Sequence, residues 1–328
     1  MENKEPTRNL ALDLARVTEA AALASGRFMG RGDKVAADAA AVNAMRLVLQ
    51  TVDINGIIVI GEGEKDNAPM LYNGERVGNG APPNVDVAVD PIDGTRPLAF
   101  GRTNSLATVA IAPRGTMYNP GPFVYMNKLA VGPEAKGKIN IEMSITENLK
   151  AVAKAKHQDV EDLTTIILDR PRHDAMIAEI RSCGARIRII PDGDVAAALM
   201  TAWPDSGVDV LIGIGGTPEG VLAACALRAM GGEIQGKLFA RDEAELHRGR
   251  EAGYDFDKIL TMDDLVSSED VFFAATGITD GELLEGVRYY GDGAKTDSLV
   301  VRGLTGTVRQ IIATHRIDKL HRLSAIKY

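Results

Sequence analysis

Val85-Asp86-Val87-Ala88-Val89-Asp90-Pro91-Ile92-Asp93-Gly94-Thr95 is the stretch on which the fold turns. Val85, Val87 and Val89 alternate as on a pleated strand. Pro91 cannot extend a hydrogen-bonded ladder, and Gly94 lets the backbone approach a ligand closely. The strand is expected to stop at Asp90 and to hand Asp90 and Asp93 to a tight turn at its carboxyl end. Either aspartate alone would serve as a turn cap or an ion-pair partner. Together they repel and are costly to desolvate, so a site that gathers them beside an apolar strand usually holds a hard divalent cation.

Working outward, the pattern repeats upstream. Ile57-Ile58-Val59-Ile60 reads as a central strand that ends in Gly61-Glu62-Gly63-Glu64, with Asp66 just beyond. Glycines on both sides of Glu62 free the backbone to curl around a bound group, which favours ligation over a solvated acidic turn. Before it, Leu10, Leu14, Val17, Ala21, Ala24 and Phe28 put one apolar stripe on a helix over 7–28, ended by Gly30 and Gly32. A second helix is expected through Val42, Met45, Leu49 and Val52 to about Asn55. Asp38 falls near its start, where a cap or dipole partner is the structural reading, and Asp33 and Lys34 read as a solvated loop pair. Downstream, 105–112 alternates as a strand, Tyr125 lies in an amphipathic stretch ending at Val131, and 139–145 is strand-like. Tyr125 taken alone is a half-buried aromatic.

From Thr164 strand and helix alternate, as a mostly parallel sheet with packed helices requires. The strands are 164–168, 186–190 and 208–214, the helices 174–183, 194–201 and 219–230. Each strand ends in residues that look functional: Arg170-Pro171-Arg172-His173, Asp192-Gly193-Asp194, and Gly215-Gly216-Thr217-Pro218-Glu219. Ligands of open α/β sheets bind at strand carboxyl ends, so the three loops are expected to meet in one crevice. Singly, Asp192 and Asp194 read as helix caps and Arg172 as a surface charge. Gly213 to Gly220 lacks the full dinucleotide-binding glycine spacing. A charged helix over 242–252 and strands at 271–275, 286–290, 298–302 and 308–315 complete the chain.

The 328 residues exceed one ordinary domain. We expect an N-terminal α+β metal-binding domain over 1–150 and a C-terminal α/β substrate-binding domain over 151–328, with the boundary between about 146 and 159 and the last strands available to pack back on the first domain. No apolar run could span a bilayer, and no charged leader precedes an apolar stretch, so a cytoplasmic protein without membrane contact is expected. Cys183 and Cys225 form no paired motif, and the five histidines show no ligand spacing. A formal charge of −8 argues against nucleic-acid binding, so an anionic substrate would need locally placed cations.

The chemistry these residues indicate is an all-oxygen site of Asp38, Glu62, Asp90, Asp93 and Glu219 facing a sugar-like or phosphate-like ligand held by Arg172 and Asp192 to Asp194. Oxygen donors favour magnesium or manganese, and five carboxylates point to two ions, which can clamp the attacking and leaving oxygens of a phosphoryl displacement. Thr95 offers a hydroxyl and a backbone N–H where a phosphate binds well.

Asp90-Pro91-Ile92-Asp93-Gly94-Thr95 resembles the signature of the lithium-sensitive, magnesium-dependent sugar phosphatase superfamily. Gly30-Arg31-Gly32-Asp33-Lys34 with Asp38, Gly61 to Glu64, Arg170 to Asp174, Pro191 to Asp194 and Gly213 to Gly220 resemble the bacterial class II fructose-1,6-bisphosphatases, from near the N-terminus to about residue 315. The resemblance implies a layered two-domain sugar phosphatase fold, α/β in class with an α+β N-terminal half, its mixed sheets flanked by helices. It implies one metal on Asp38 and Glu62, another on Asp90, Asp93 and Glu219, and bisphosphate contacts from Asp93, Gly94, Thr95, Tyr125, Arg170, Pro171, Arg172, Asp192, Gly193, Asp194 and Gly216. Lys34 and Asp66 are expected to matter for turnover, and a homodimer or homotetramer is expected.

The mechanism expected is in-line attack of a metal-activated water on the 1-phosphate, with Thr95 and an acid (Glu62, Glu64 or Asp66) positioning that water. No nucleophilic Ser, Cys or His stands out for a covalent route. The products are fructose 6-phosphate and phosphate; sedoheptulose 1,7-bisphosphate is a further candidate substrate. The rival readings are an inositol monophosphatase-like enzyme, separable by substrate profiling, and a sugar-phosphate-binding protein without turnover. A nicotinamide dehydrogenase would be protected against unfolding by NAD.

Overall fold

The apolar stripe from Leu10 folds as helix α1 (Ala11–Ser25), and the loop that follows leads to α2 (Lys34–Leu49). The computed structural model describes residues 9–63 and 70–328. The second helix thus begins and ends earlier than the apolar spacing indicates. Asp33 is its N-cap, accepting from the Ala36 N–H at 2.9 Å, so Asp38 is no cap and projects from the second turn.

Next come β1 (Asn55–Ile60), β2 (Arg76–Val77), β3 (Asn84–Asp93), the short α3 (Thr95–Ala99) and β4 (Leu106–Pro113). Strand β3 does not stop at Asp90. It continues through Pro91 to Asp93, and its pairing with β4 shifts register between Asp90 and Asp93. A bulge tolerates the missing proline donor and turns both aspartates toward one cavity.

The chain then forms β5 (Tyr125–Val131), α4 (Ile145–Lys156), β6 (Thr164–Leu168), α5 (Asp174–Ser182) and β7 (Arg186–Ile190). After these come α6 (Asp194–Met200), β8 (Val210–Gly216), α7 (Thr217–Met230), β9 (Glu233–Leu238), α8 (Glu243–Glu251) and α9 (Met262–Leu265). The last elements are β10 (Phe272–Gly277), β11 (Arg288–Tyr290), β12 (Gly293–Arg302), β13 (Thr307–Arg316) and α10 (Ile317–Leu323). Residues 139–144 form no strand. Ser144 caps α4 through a capping box with Glu147, and that local bonding wins over the β-branched composition.

Among the described residues the strands make two sheets. The eight-stranded one runs β11-β12-β10-β4-β3-β1-β2, with β13 also on β12. The five-stranded one runs β7-β6-β8-β5-β9. This second sheet is mixed rather than mostly parallel: β6 is parallel to β7 and β8, while β5 is antiparallel to β8 and β9. The two antiparallel strands escape a simple strand-and-helix reading because β5 enters from the first half of the chain and β9 returns directly from α7.

Helices α1 and α2 cover the outer face of the large sheet, burying Leu14, Val17, Met45 and Leu49 with Val87, Val89 and Ala274. Helices α4 and α5 cover the outer face of the small sheet through Leu149, Val152, Ile177 and Ile180. Between the sheets lies α7, whose Val221, Leu222, Cys225 and Leu227 pack among residues of both, including Phe273, Leu299, Met126 and Ala130. A helix apolar all round belongs in such a place. The result is an α/β/α/β/α layering whose middle layer, α6 and α7, begins at the site described next.

Candidate active site

Five strand ends supply the site. Strand β1 delivers Gly61 to Gly63, β3 delivers Asp90 to Thr95, β6 delivers Arg170 to His173, β7 delivers Asp192 to Asp194, and β8 delivers Gly216, after which α7 begins with Thr217. Positive φ at Gly94 (92°) and Gly193 (88°) turns the chain from strand into α3 and α6. At Gly193 a Cβ would also lie 3.2 Å from the Asn104 carbonyl oxygen, a tight contact added to the strain of the positive φ.

A cavity of about 300 Å³ is walled by Glu62, Asp90, Asp93 and Glu219, with Asp192 and Asp194 beside them and Thr95 at its edge. It opens into a cleft of about 550 Å³ that shares Glu62, Asp192, Asp194 and Glu219 and adds Tyr125, Arg170, Arg172 and Gly216. The Arg172 guanidinium lies over the Tyr125 ring, 5.3 Å from its centroid, and donates to the Ile214 carbonyl at 2.7 Å. Arg170 donates to the Pro191 carbonyl at 2.7 Å and reaches the Asp192 carboxylate at 3.4 Å.

The acidic wall is electrostatically loaded. Burial, then the charges of Asp93, Glu219 and Glu62, holds the Asp90 carboxyl well above the usual range. Asp93 is raised by burial and next by Asp194, against a 3.1 Å hydrogen bond from the Ala196 N–H. Burial and Asp194 push Glu219 up to about 7. Glu62 sits at the cavity mouth, yet the protein around its carboxylate and the nearby Asp38 push it up to about 7 as well. Asp38 lines neither cavity, but its carboxylate accepts from the Thr95 hydroxyl at 3.2 Å, and burial raises its pKa.

The predicted residues therefore converge for the most part. Lys34 lines neither cavity, its ammonium 5.6 Å from the Phe100 ring and its charge felt by Asp38, and Pro171 opens a single 3-10 turn that carries Arg172. Glu64 and Asp66 lie outside the described residues.

Lys128 escaped the sequence reading, and His173 was named in its strand-end loop without a role. Lys128 on β5 is buried, ion-pairs with Asp194 and donates to the Gly216 carbonyl at 2.9 Å. Its signal was a charge on the inward register of β5, between the buried Met126 and Ala130. His173 is completely buried: its Nε2 accepts from the Ile214 N–H at 2.8 Å, so Nδ1–H donates to the Leu168 carbonyl at 2.7 Å. It staples the arginine loop to β8.

The donors fit a hard cation. All are carboxylate oxygens, and Glu219 Oε2 is buried without a hydrogen-bond partner. Among the described residues no three acidic, histidine or cysteine side chains already form a ready-made cage; the carboxylates are spread around the cavity. No described helix is long and apolar enough to cross a membrane.

Oxygen donors on one wall and guanidinium groups on the other are what a phosphate ester requires, and their place at strand ends of a layered α/β fold defines an enzyme acting on phosphorylated small molecules. Comparison with known proteins gives the family. The model of the bacterial fructose-1,6-bisphosphatase family, glpX-encoded, matches residues 8–315, and this chain belongs to that family. It is 49% identical over 325 residues to fructose-1,6-bisphosphatase 1 class 2 of Escherichia coli (strain K12), covering 95% of this chain and 96% of the relative. Identity and coverage are the same with fructose-1,6-bisphosphatase class 2 of Escherichia coli O6:H1 and of Shigella flexneri.

Proposed function

We propose that this enzyme hydrolyses the 1-phosphate of fructose 1,6-bisphosphate to give fructose 6-phosphate and phosphate. The observation that carries this reading is the junction of the two cavities: Glu62, Asp192, Asp194 and Glu219 line both the acidic pocket and the arginine cleft. One phosphate can thus sit at the carboxylates while the remainder of a bisphosphate lies against Tyr125, Arg170 and Arg172.

In this reading Asp38 and Glu62 hold one divalent ion, and Asp90, Asp93 and Glu219 a second, magnesium or manganese. Metal dependence follows from the family, and the orphaned Glu219 Oε2 and the mutually repelling carboxylates are what such ions would satisfy. When bound, the ions would activate water and neutralise charge developing on the phosphoryl group. The protein's own part is positioning. The Asp38 carboxylate orients the Thr95 hydroxyl toward the reacting phosphate, and Lys128 holds Asp194 and the Gly216 carbonyl in place. Asp192, Gly193 and Asp194 contact the sugar, while Asp93, Gly94, Pro171 and Gly216 shape the remaining walls. Lys34, Glu64 and Asp66 complete the set proposed to support turnover. We place the enzyme in the cytoplasm as a homodimer or homotetramer, for which light scattering is the check.

The test is phosphate release from fructose 1,6-bisphosphate with magnesium, manganese or a chelator, beside inositol monophosphate and sedoheptulose 1,7-bisphosphate. Release from the fructose ester that the chelator stops is the expected result. Preference for inositol monophosphate would reassign the substrate, and binding without release would reassign the protein as a sugar-phosphate binder.

A further inference from the structure

Sharing Arg170 with the substrate cleft is a smaller cavity of about 240 Å³, walled by Arg96, Arg102 and Arg170 with Phe100, Pro97 and Pro191. In a chain of net charge −8, three guanidinium groups around one cavity reverse the local sign. One carboxylate, Asp169, is also in its wall. Other arginines of this protein that line or flank its core are tied down, Arg46 by Glu75, Arg114 by Asp86, and Arg228 by Asp263 and Glu269. Among the described residues no ion pair or side-chain hydrogen bond holds the Arg96 or Arg102 guanidinium.

The backbone beneath them is nonetheless fixed. The Arg102 N–H donates to the Pro97 carbonyl at 2.7 Å, and the Gly30 and Gly32 N–H groups clamp the carbonyls of Leu98 and Ala99 at 2.9 Å. Phe100 is 62% exposed at the rim, with the Lys34 ammonium 5.6 Å from its ring adding a further cation to this face. Arg96 and Arg102, without a side-chain partner and sharing a cavity wall with Arg170 on a fixed frame, are arranged for planar or tetrahedral oxyanions, although the Arg96 charge also reaches Asp192.

We propose that this cavity is a second anion site, distinct from the substrate cleft, that takes a phosphate-type oxyanion, either free phosphate or the phosphate group of a phosphomonoester. Arg170 belongs to the walls of both cavities and reaches Asp192 in the catalytic pocket. An anion that engages Arg170 in this cavity therefore competes for it with Asp192 and the substrate. This effect on turnover rests on the proposed function, whereas the binding itself does not.

The experiment is calorimetric titration of the full chain, in chelator, with inorganic phosphate and with phenyl phosphate, whose ring would lie on Phe100. Wild-type protein is expected to bind saturably. The double variant R96Q/R102Q is expected to bind at least about tenfold more weakly, while R172Q, altered in the substrate cleft, binds as wild type. Tighter phenyl phosphate than phosphate assigns an organic phosphoester as the natural ligand, and equal affinity assigns free phosphate. R102Q alone, changing one unpaired side chain, gives the same direction of effect if the double variant does not fold. Absence of saturable binding, or binding lost in R172Q and kept in R96Q/R102Q, overturns the proposal. Should the chain show no bisphosphatase activity, the proposed function fails and the titration still decides this site.

Discussion

Gly216 shows how much of the site depends on single atoms. Its φ of −68° suits any residue, yet a Cβ there would lie 1.6 Å from Glu219 Oε2. The backbone would survive and the carboxylate would move. We expect Gly216→Ala to keep its fold by circular dichroism and to lose about a hundredfold in kcat/KM, the usual consequence of misplacing a reacting group by an ångström. Asp90→Asn is expected to abolish phosphate release with the near-UV spectrum unchanged, and full activity in that variant would remove Asp90 from the metal set. Lys128→Met leaves Asp194 buried without its cation, so unfolding in urea is expected to show a loss of about 3–5 kcal/mol. At this scale the grouping of carboxylates and arginines at strand ends was legible because like charges placed together repel and are costly to desolvate. Lys128 was not, because its partner is 66 positions away and only pairing across the sheet brings them together.

Helix α1 carries a titration of its own. Glu19 is buried on it, with the Thr296 hydroxyl 3.5 Å away on β12, and burial pushes its carboxyl from 4.5 to about 7. The raised value means the folded state holds the proton more tightly. The stability this proton gives is fully present below about pH 4.5 and is lost as pH rises to about 7. Glu19→Gln is therefore expected to match wild type in acid and to exceed it by up to about 3 kcal/mol above pH 7, read from thermal melts across pH. Amphipathic spacing made α1 and α2 readable, and short β-branched runs did the same for β1, β6 and β7. The strand expected over 139–145 failed against a capping box, and β9 was missed because Gly236 fills the middle of its three inward positions and leaves only Ile234 and Leu238 to mark the alternation.

At the scale of the whole molecule, chain order and sheet membership diverge. Strand β5, from the first half, lies between β8 and β9, and β10, from the second half, lies between β4 and β12. Fragments cut near residue 150 would each lose an interior strand from a sheet, and neither is expected to unfold with a cooperative transition when expressed alone. A fragment that did so would mark an independent domain. The sequence by itself determined the α/β class, the strand ends that carry acids and arginines, and the resemblance through which the reaction was named, because hydrophobic period and charged residue type are local properties. Only the tertiary structure decided that α7 lies between the two sheets, that Lys128 neutralises Asp194, and that Arg170 stands between two cavities. Those facts depend on which distant segments share a core, and that is settled by burying apolar surface from the whole chain at once.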